Sequence, residues 1–139
     1  EEPLLLAGGG ATQIALARHL RRFAERFAGR EQLAIEAFAD ALEIIPRTLA
    51  QNAGLDPLDS LLQTVAKQTT TGGSVGHRIG LNVDKKAPSD MVDDGVVEPL
   101  RITRQVLAGA TEAALSVLRI DDVLWAKQDP TEPDLPDED

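Results

Sequence analysis

Aliphatic residues repeat at helical spacing along most of this chain, and this repeat restricts its fold more than any other feature. The first predicted helix covers Ala11–Phe27. Its stripe consists of Leu16, Leu20, Phe23 and Phe27, widened by Ile14, Ala17 and Ala24. Only 3% of the residues are aromatic and Tyr is absent, so a core must be built from Leu, Ile, Val and Ala. The sequence therefore predicts a mainly α fold packed through aliphatic helix faces.

Capping and breaking residues predict where the other helices begin and end. Pro46 is expected to interrupt the second helix and to begin a separate helical turn, since proline suits the first helical position. Asp56 and Pro57 form a helix start, as an N-cap followed by the first helical residue. The predicted segments are Glu31–Glu43, Pro46–Ala53, a helix from Pro57 to about Gln68, and a long helix from Pro99 to about Val117.

The remaining segments predict a small β element and a tail. Arg78–Val83 alternates like a strand, and Asp90–Val92 is expected to pair back on it as a hairpin. Thr69–Gly76 is expected to be a flexible loop, and Arg119–Leu124 a terminal strand. Residues 128–139 contain six acids, three prolines and no basic residue, so this acidic tail is expected to be disordered. Residues 1–127 would then form the folded part.

Charge and composition disfavour several classes of function. The net charge of −9 argues against nucleic acid as a partner. Cysteine is absent, which removes disulfides and thiolate metal sites and fits a reducing compartment. The longest apolar run, Leu4–Ala7, is too short to span a bilayer, so no membrane partner is expected. Without a signal-peptide pattern at the start, the expected location is cytoplasmic.

A glycine triplet, Gly8–Gly10, directly precedes the first helix. Backbone N–H groups can approach a phosphate closely where no Cβ intervenes, and a helix N-terminus favours anions. No Lys-Ser or Lys-Thr pair follows, so the triplet is not a Walker loop. Both a phosphate cradle and a plain hinge remain open on the pattern alone.

Other polar residues carry weaker signals. His19 and His77 each lack a second metal ligand at useful spacing. The acid pairs Asp93-Asp94 and Asp121-Asp122 are typical of solvated loops, and no Ser-His-Asp or Cys-His set can be assembled. The first helix carries a basic face that is either solvated or docks an acidic neighbour such as another subunit. This face consists of Arg18, Arg21, Arg22 and Arg26, followed by Arg30.

Long ordered runs of this sequence resemble group II chaperonins, and thermosome subunits look nearest. The resemblance covers roughly residues 4–126. The runs that carry it are Ala7–Ala11, Gly29–Glu43, Ile45–Asp56, Gly95–Arg101, Ala110–Ala114 and Leu118–Val123.

The resemblance implies a place within the subunit. Residues 1–127 correspond to the C-terminal part of the ATP-binding equatorial domain, a helical fragment with a small β-hairpin. The family's Gly-Asp-Gly-Thr-Thr motif, which binds phosphate and magnesium, lies outside this chain, as do the aspartate that positions water and the apical domain. The chain would supply one wall of the nucleotide pocket. By similarity, the backbone of Gly9 approaches the nucleotide, Asn82 and Val83 flank the adenine, and Glu98 binds the ribose hydroxyls.

The function implied by this resemblance is ATP-driven protein folding in a double-ring cage. Expected partners are other chaperonin subunits, identical or different, and unfolded clients that bind through the apical domain. The chain alone is expected not to hydrolyse ATP. Uncovered apolar helix faces are expected to cause self-association. The alternative is a stand-alone helical binding or scaffold module, derived from a chaperonin, that does not use ATP.

Overall fold

The computed structural model describes residues 4–126, and side-chain environments as far as residue 120. The helices are α1 (Ala11–Ala24), α2 (Arg30–Asn52), α3 (Pro57–Thr71), α4 (Gly73–Gly76) and α5 (Leu100–Ala126). The strands are β1 (Leu5–Ala7), β2 (Ile79–Asn82), β3 (Ala87–Asp90) and β4 (Val97–Pro99). The predicted mainly α fold is confirmed. The chain divides at Leu100 into two units, of which the first holds α1–α4 and both sheets.

Small residues form the closest contact between helices. On α1, the buried residues include Ala11, Ile14, Ala17 and Ala24, of which the last three are the residues that widened the predicted stripe, while Leu16 and Leu20 are half-buried. Phe23 remains 39% exposed. The helical period was therefore correct, but the largest side chains do not mark the buried face. Alanine allows the backbones of two helices to approach closely, so the alanine side of α1 packs against α2.

Pro46 lies inside α2, so the prediction that it interrupts the helix was wrong. Proline removes one backbone hydrogen bond, but here its ring is buried against the glycine that precedes α1. A Cβ placed on Gly10 would lie 2.7 Å from the Cβ of Pro46. Because Gly10 has no side chain, the proline ring packs directly against its backbone, and this contact offsets the missing hydrogen bond.

Two other local predictions were wrong. Most of the predicted flexible loop is helical: α3 continues to Thr71, and α4 follows after Gly72. The hydroxyls of Thr69 and Thr70 donate to helix carbonyls four residues earlier, which accommodates threonine in a last turn. The predicted terminal strand, Arg119–Leu124, is part of α5. The acidic tail lies outside the described residues.

The four strands form two antiparallel pairs. In the predicted hairpin, β2 pairs with β3, with Leu81 opposite Pro88. The hairpin is confirmed, although its second strand is Ala87–Asp90 rather than Asp90–Val92. The pairing of β1 with β4, which sets Leu6 opposite Glu98, joins residues at least ninety positions apart and was not predicted. Among the described helices, none is long and apolar enough to cross a membrane.

Candidate functional site

The glycine triplet contacts three different parts of the first unit. The N–H of Gly8 donates to the carbonyl of Val96 at 3.0 Å. The carbonyl of Gly9 accepts from the N–H of Leu81 in β2 at 2.8 Å. Gly10 packs against α2 as described above. The triplet therefore holds the approach to β4, the hairpin and α2 together at the N-terminus of α1.

Gly9 is required by protein packing as well as by its backbone conformation. Its φ is +60°, and a Cβ there would lie 2.5 Å from Sδ of Met91 and 2.7 Å from the carbonyl oxygen of Leu81. The side of Gly9 that lacks a Cβ is thus filled by the chain itself. Within residues 4–126, the N–H groups of Gly9 and Gly10 make no hydrogen bond. They precede the N-terminus of α1, where the helix dipole favours negative charge.

Asn82 uses its side chain to hold the hairpin turn. Its Oδ1 accepts from the N–H groups of Asp84 and Lys85, both at 3.0 Å. Its Nδ2 donates to Oδ2 of Asp94 at 2.7 Å. Every polar atom of this buried amide is therefore engaged within the chain. Asn82 positions the turn, and the next residue, Val83, is left 41% exposed.

Asp94 differs from the solvated acid expected for a loop pair. Its carboxylate accepts from Lys85, Ser89 and Asn82, and its side chain is only 12% exposed. These three hydrogen bonds, that of Lys85 first, hold the pKa of Asp94 well below its usual range. Asp93 fits the expectation better, since it is 73% exposed and pairs with Arg78. The carboxylate of Asp94 thus joins the hairpin turn to the segment that leads into β4.

Glu98 lies on β4, half-buried, opposite Leu6 on the strand that leads into the glycine triplet. The pairing continues through Val97 opposite Ala7 and ends with the Gly8–Val96 hydrogen bond. Three segments that are distant in sequence therefore meet at the triplet: the triplet itself, the end of β2 and strand β4. Gly9, Asn82 and Glu98 lie on these segments of the first unit, and Val83 directly follows β2.

Gln68 was missed by the sequence analysis, although it connects the same elements. Its side chain is 1% exposed, and its Nε2 donates to the carbonyls of Ala11 and Ile79 at 3.0 and 2.8 Å. The sequence spacing could have indicated that Gln68 is buried, because Leu61, Thr64 and Gln68 fall on one face of α3. A glutamine on a buried helix face needs hydrogen-bond partners, and here they come from the first turn of α1 and from β2.

Another buried polar group ties α1 to α2. Glu43 is 3% exposed and accepts from Arg21, which also bonds Asp40 at 2.7 Å. The hydrogen bond to Glu43 is the main reason that the pKa of Arg21 is raised. Arg21, which belongs to the predicted basic face, therefore binds two acidic residues of the same chain. Among the described residues, no group of three His, Cys, Asp or Glu side chains is arranged to hold a metal.

Comparison with known proteins gives matches over nearly the whole chain. The family model of the TCP-1/cpn60 chaperonin family matches residues 1–128. The chain is 55% identical to a thermosome subunit of Methanocaldococcus jannaschii and 56% identical to one of Methanopyrus kandleri, each over 128 residues. These alignments cover 92% of this chain and 23% of each relative, so the chain spans about a quarter of their length.

A solved structure agrees with these sequence matches. The open-state monomer of a group II chaperonin from Methanococcoides burtonii superposes with a TM-score of 0.77 at 42% sequence identity. The superposition covers 83% of this chain and 28% of that chain. On its sequence, its fold and these relatives, the chain belongs to the TCP-1/cpn60 chaperonin family, among its group II members.

Proposed function

We propose that this chain is the C-terminal part of the equatorial domain of an ATP-dependent group II chaperonin, and that it forms one wall of the nucleotide pocket. The observation that carries the proposal is the meeting of three segments at the glycine triplet. Gly9 is hydrogen-bonded to β2 one residue before Asn82, and Glu98 lies on the strand paired with β1.

Each segment offers chemistry suited to a different part of ATP. The free N–H groups of Gly9 and Gly10, at the positive end of α1, suit phosphate oxygens. The exposed apolar surface of Val83 suits the face of a base. The carboxylate of Glu98 can accept hydrogen bonds from two ribose hydroxyls. Asn82 supports this wall indirectly, because its side chain holds the turn that presents Val83.

The chain alone would lack several parts of the nucleotide site. The resemblance assigns the phosphate and magnesium ligands and the water-positioning aspartate to other parts of a chaperonin subunit. We therefore expect weak ATP binding and no ATP turnover by these 139 residues. In the complete subunit, ATP would drive protein folding in a cytoplasmic double ring. Partners would be other subunits and, through the apical domain, unfolded clients.

The role of Glu98 can be tested by pairing a mutation with a modified ligand. ATP and 2′-deoxy-ATP would be titrated into the chain and into Glu98→Ala, with the Gly9 and Gly10 amide signals followed by NMR. Removing a hydrogen bond to a carboxylate should weaken ATP binding about tenfold. The unmodified chain should bind 2′-deoxy-ATP less tightly than ATP. The Glu98→Ala variant should bind the two ligands with the same affinity.

The control is Glu112→Ala, which removes an exposed carboxylate from α5 and should leave both affinities unchanged. If millimolar ATP shifts neither glycine amide in a well-folded chain, the pocket assignment is wrong. That result would favour the alternative, a helical binding module that does not use ATP.

A further inference from the structure

Three adjoining cavities share one face of α1 in the first unit. Arg22 lines all three, while His19 and His77 each line two. The largest of the three, about 560 Å³, is a mainly apolar groove between β1, α1 and the two residues that precede β2. The basic side chains around the three cavities are Arg18, Arg22, Arg26, Arg78, His19 and His77. No Asp or Glu is among the described residues that line them.

The absence of acids from these linings contrasts with the rest of the chain, which has 23 acids and 14 bases. Arg21 is paired with Glu43, and Arg78, at the edge of the groove, is paired with Asp90 and Asp93. Arg18 instead donates to the neutral amide of Gln68, and Arg22 makes no ion pair within residues 4–126. Arg18 and Arg22 are four residues apart on one helix, where like charges repel. A bound anion would relieve this repulsion.

The smallest cavity has the dimensions and the lining of an oxyanion pocket. Its volume is about 170 Å³, and its polar lining consists of Arg18, Arg22, Gln68, Thr69 and His77, with the backbone of Gly72 and Gly73. Glycine at two of these positions leaves the cavity open, since neither residue has a side chain to fill it.

The floor of this pocket is rigid. Gln68 is 1% exposed, and its two Nε2 hydrogen bonds fix the amide to α1 and β2. Its remaining polar atom, Oε1, accepts from Arg18 at 3.4 Å. The Gln68 amide cannot turn without breaking both of its Nε2 hydrogen bonds. This buried side chain therefore orients the guanidinium of Arg18. This one long hydrogen bond orders Arg18 in part before any ligand binds.

We propose that this pocket binds a phosphate-class oxyanion through Arg18, Arg22 and His77. Guanidinium groups form paired, charge-assisted hydrogen bonds to phosphate oxygens. The adjoining apolar groove has room for an organic group attached to the phosphate. The site includes none of the residues assigned to the nucleotide wall, and it stands whether or not that assignment is correct.

The test is a titration of the 139-residue chain with inorganic phosphate, replacing chloride at constant ionic strength. Arginine Nε–H and histidine ring signals would be followed by NMR. We expect saturable shifts confined to Arg18, Arg22 and His77. Arg22→Gln should weaken binding about tenfold, as expected for the loss of charge-assisted hydrogen bonds. Arg26→Gln, in the turn that follows α1, makes the same change of charge and should leave the affinity unchanged.

A second arm compares inorganic phosphate with phenyl phosphate, and either preference supports the site. Tighter binding of phenyl phosphate would assign the groove to the organic part of a larger ligand, whereas equal or tighter binding of inorganic phosphate would assign the site to the free ion. Shifts that grow linearly without saturation, or equal losses in Arg22→Gln and Arg26→Gln, would overturn the proposal. Saturation by a Glu-rich peptide but not by phosphate would also overturn it, since the face would then bind an acidic protein segment.

Discussion

Replacing Gly9 with alanine should destabilise the first unit more than replacing any glycine that has open space around it. Alanine at a φ of +60° is strained by roughly 1–2 kcal/mol, because Cβ crowds the neighbouring carbonyl. The added methyl would also lie 2.5 Å from Sδ of Met91 and 2.7 Å from the carbonyl oxygen of Leu81. Both distances are far inside van der Waals contact.

The two clashes cannot both be relieved by a small adjustment. Met91 has a flexible side chain, but it is fully buried. The oxygen of Leu81 belongs to the backbone of β2, which is held in register by β3. Overpacking of this kind typically costs about 1–3 kcal/mol. Added to the backbone strain, it gives roughly 2–5 kcal/mol, a large part of the stability of an ordinary domain.

Gly54→Ala is the matched control. Gly54 has a φ of +72°, and no atom lies within 4 Å of the position its Cβ would take. In this variant, backbone strain alone should lower the free energy of unfolding, by roughly 1–2 kcal/mol. Urea unfolding followed by far-UV circular dichroism would give the free energy of unfolding of both variants. If they agree within about 0.5 kcal/mol, close packing around Gly9 contributes nothing and the reasoning is refuted.

Two further predictions concern buried polar groups. Gln68→Leu should lower the free energy of unfolding by roughly 2–4 kcal/mol, because the carbonyls of Ala11 and Ile79 lose their donor. The control Gln63→Leu, at an exposed position of α3, should change the free energy of unfolding by no more than about 0.5 kcal/mol. Equal urea midpoints for the two variants would contradict the prediction. The folded pKa of Asp94 lies below its ordinary value of 3.8, so its stabilising contribution is complete above that value and disappears as pH falls toward the folded pKa. Unfolding measured between about pH 5 and pH 2 should therefore show a steeper loss of stability for the unmodified chain than for Asp94→Asn, and parallel curves would count against it.

Local sequence rules worked where a residue's conformation depends on its near neighbours. The start of α3 is an example: Asp56 accepts from the N–H of Asp59 at 2.7 Å, with Pro57 in the first turn, as predicted. The hairpin was also predictable, because alternation and turn residues are local signals. The rule that proline breaks a helix failed at Pro46, since its ring packs against Gly10 in another element.

The candidate site was predictable only through resemblance to a family. The roles proposed for Gly9, Asn82, Val83 and Glu98 were carried over from chaperonins, and they stay proposals. On the sequence pattern alone, a plain hinge or turn was favoured over a phosphate cradle for the triplet. Neither pattern indicated that the carboxylate of Asp94 would bind Asn82, or that Gln68 would join α1 to β2.

By itself, the sequence determined the helical class, the aliphatic core and the family, because each is written in residues close together in the chain. Only the tertiary structure decided which face of α1 is buried, what fills the space beside Gly9, and that β1 pairs with β4. The physical reason is that these outcomes depend on steric fit and hydrogen bonds between segments tens of residues apart. Such contacts leave no periodic trace in either segment alone, so they become visible only when the chain is folded.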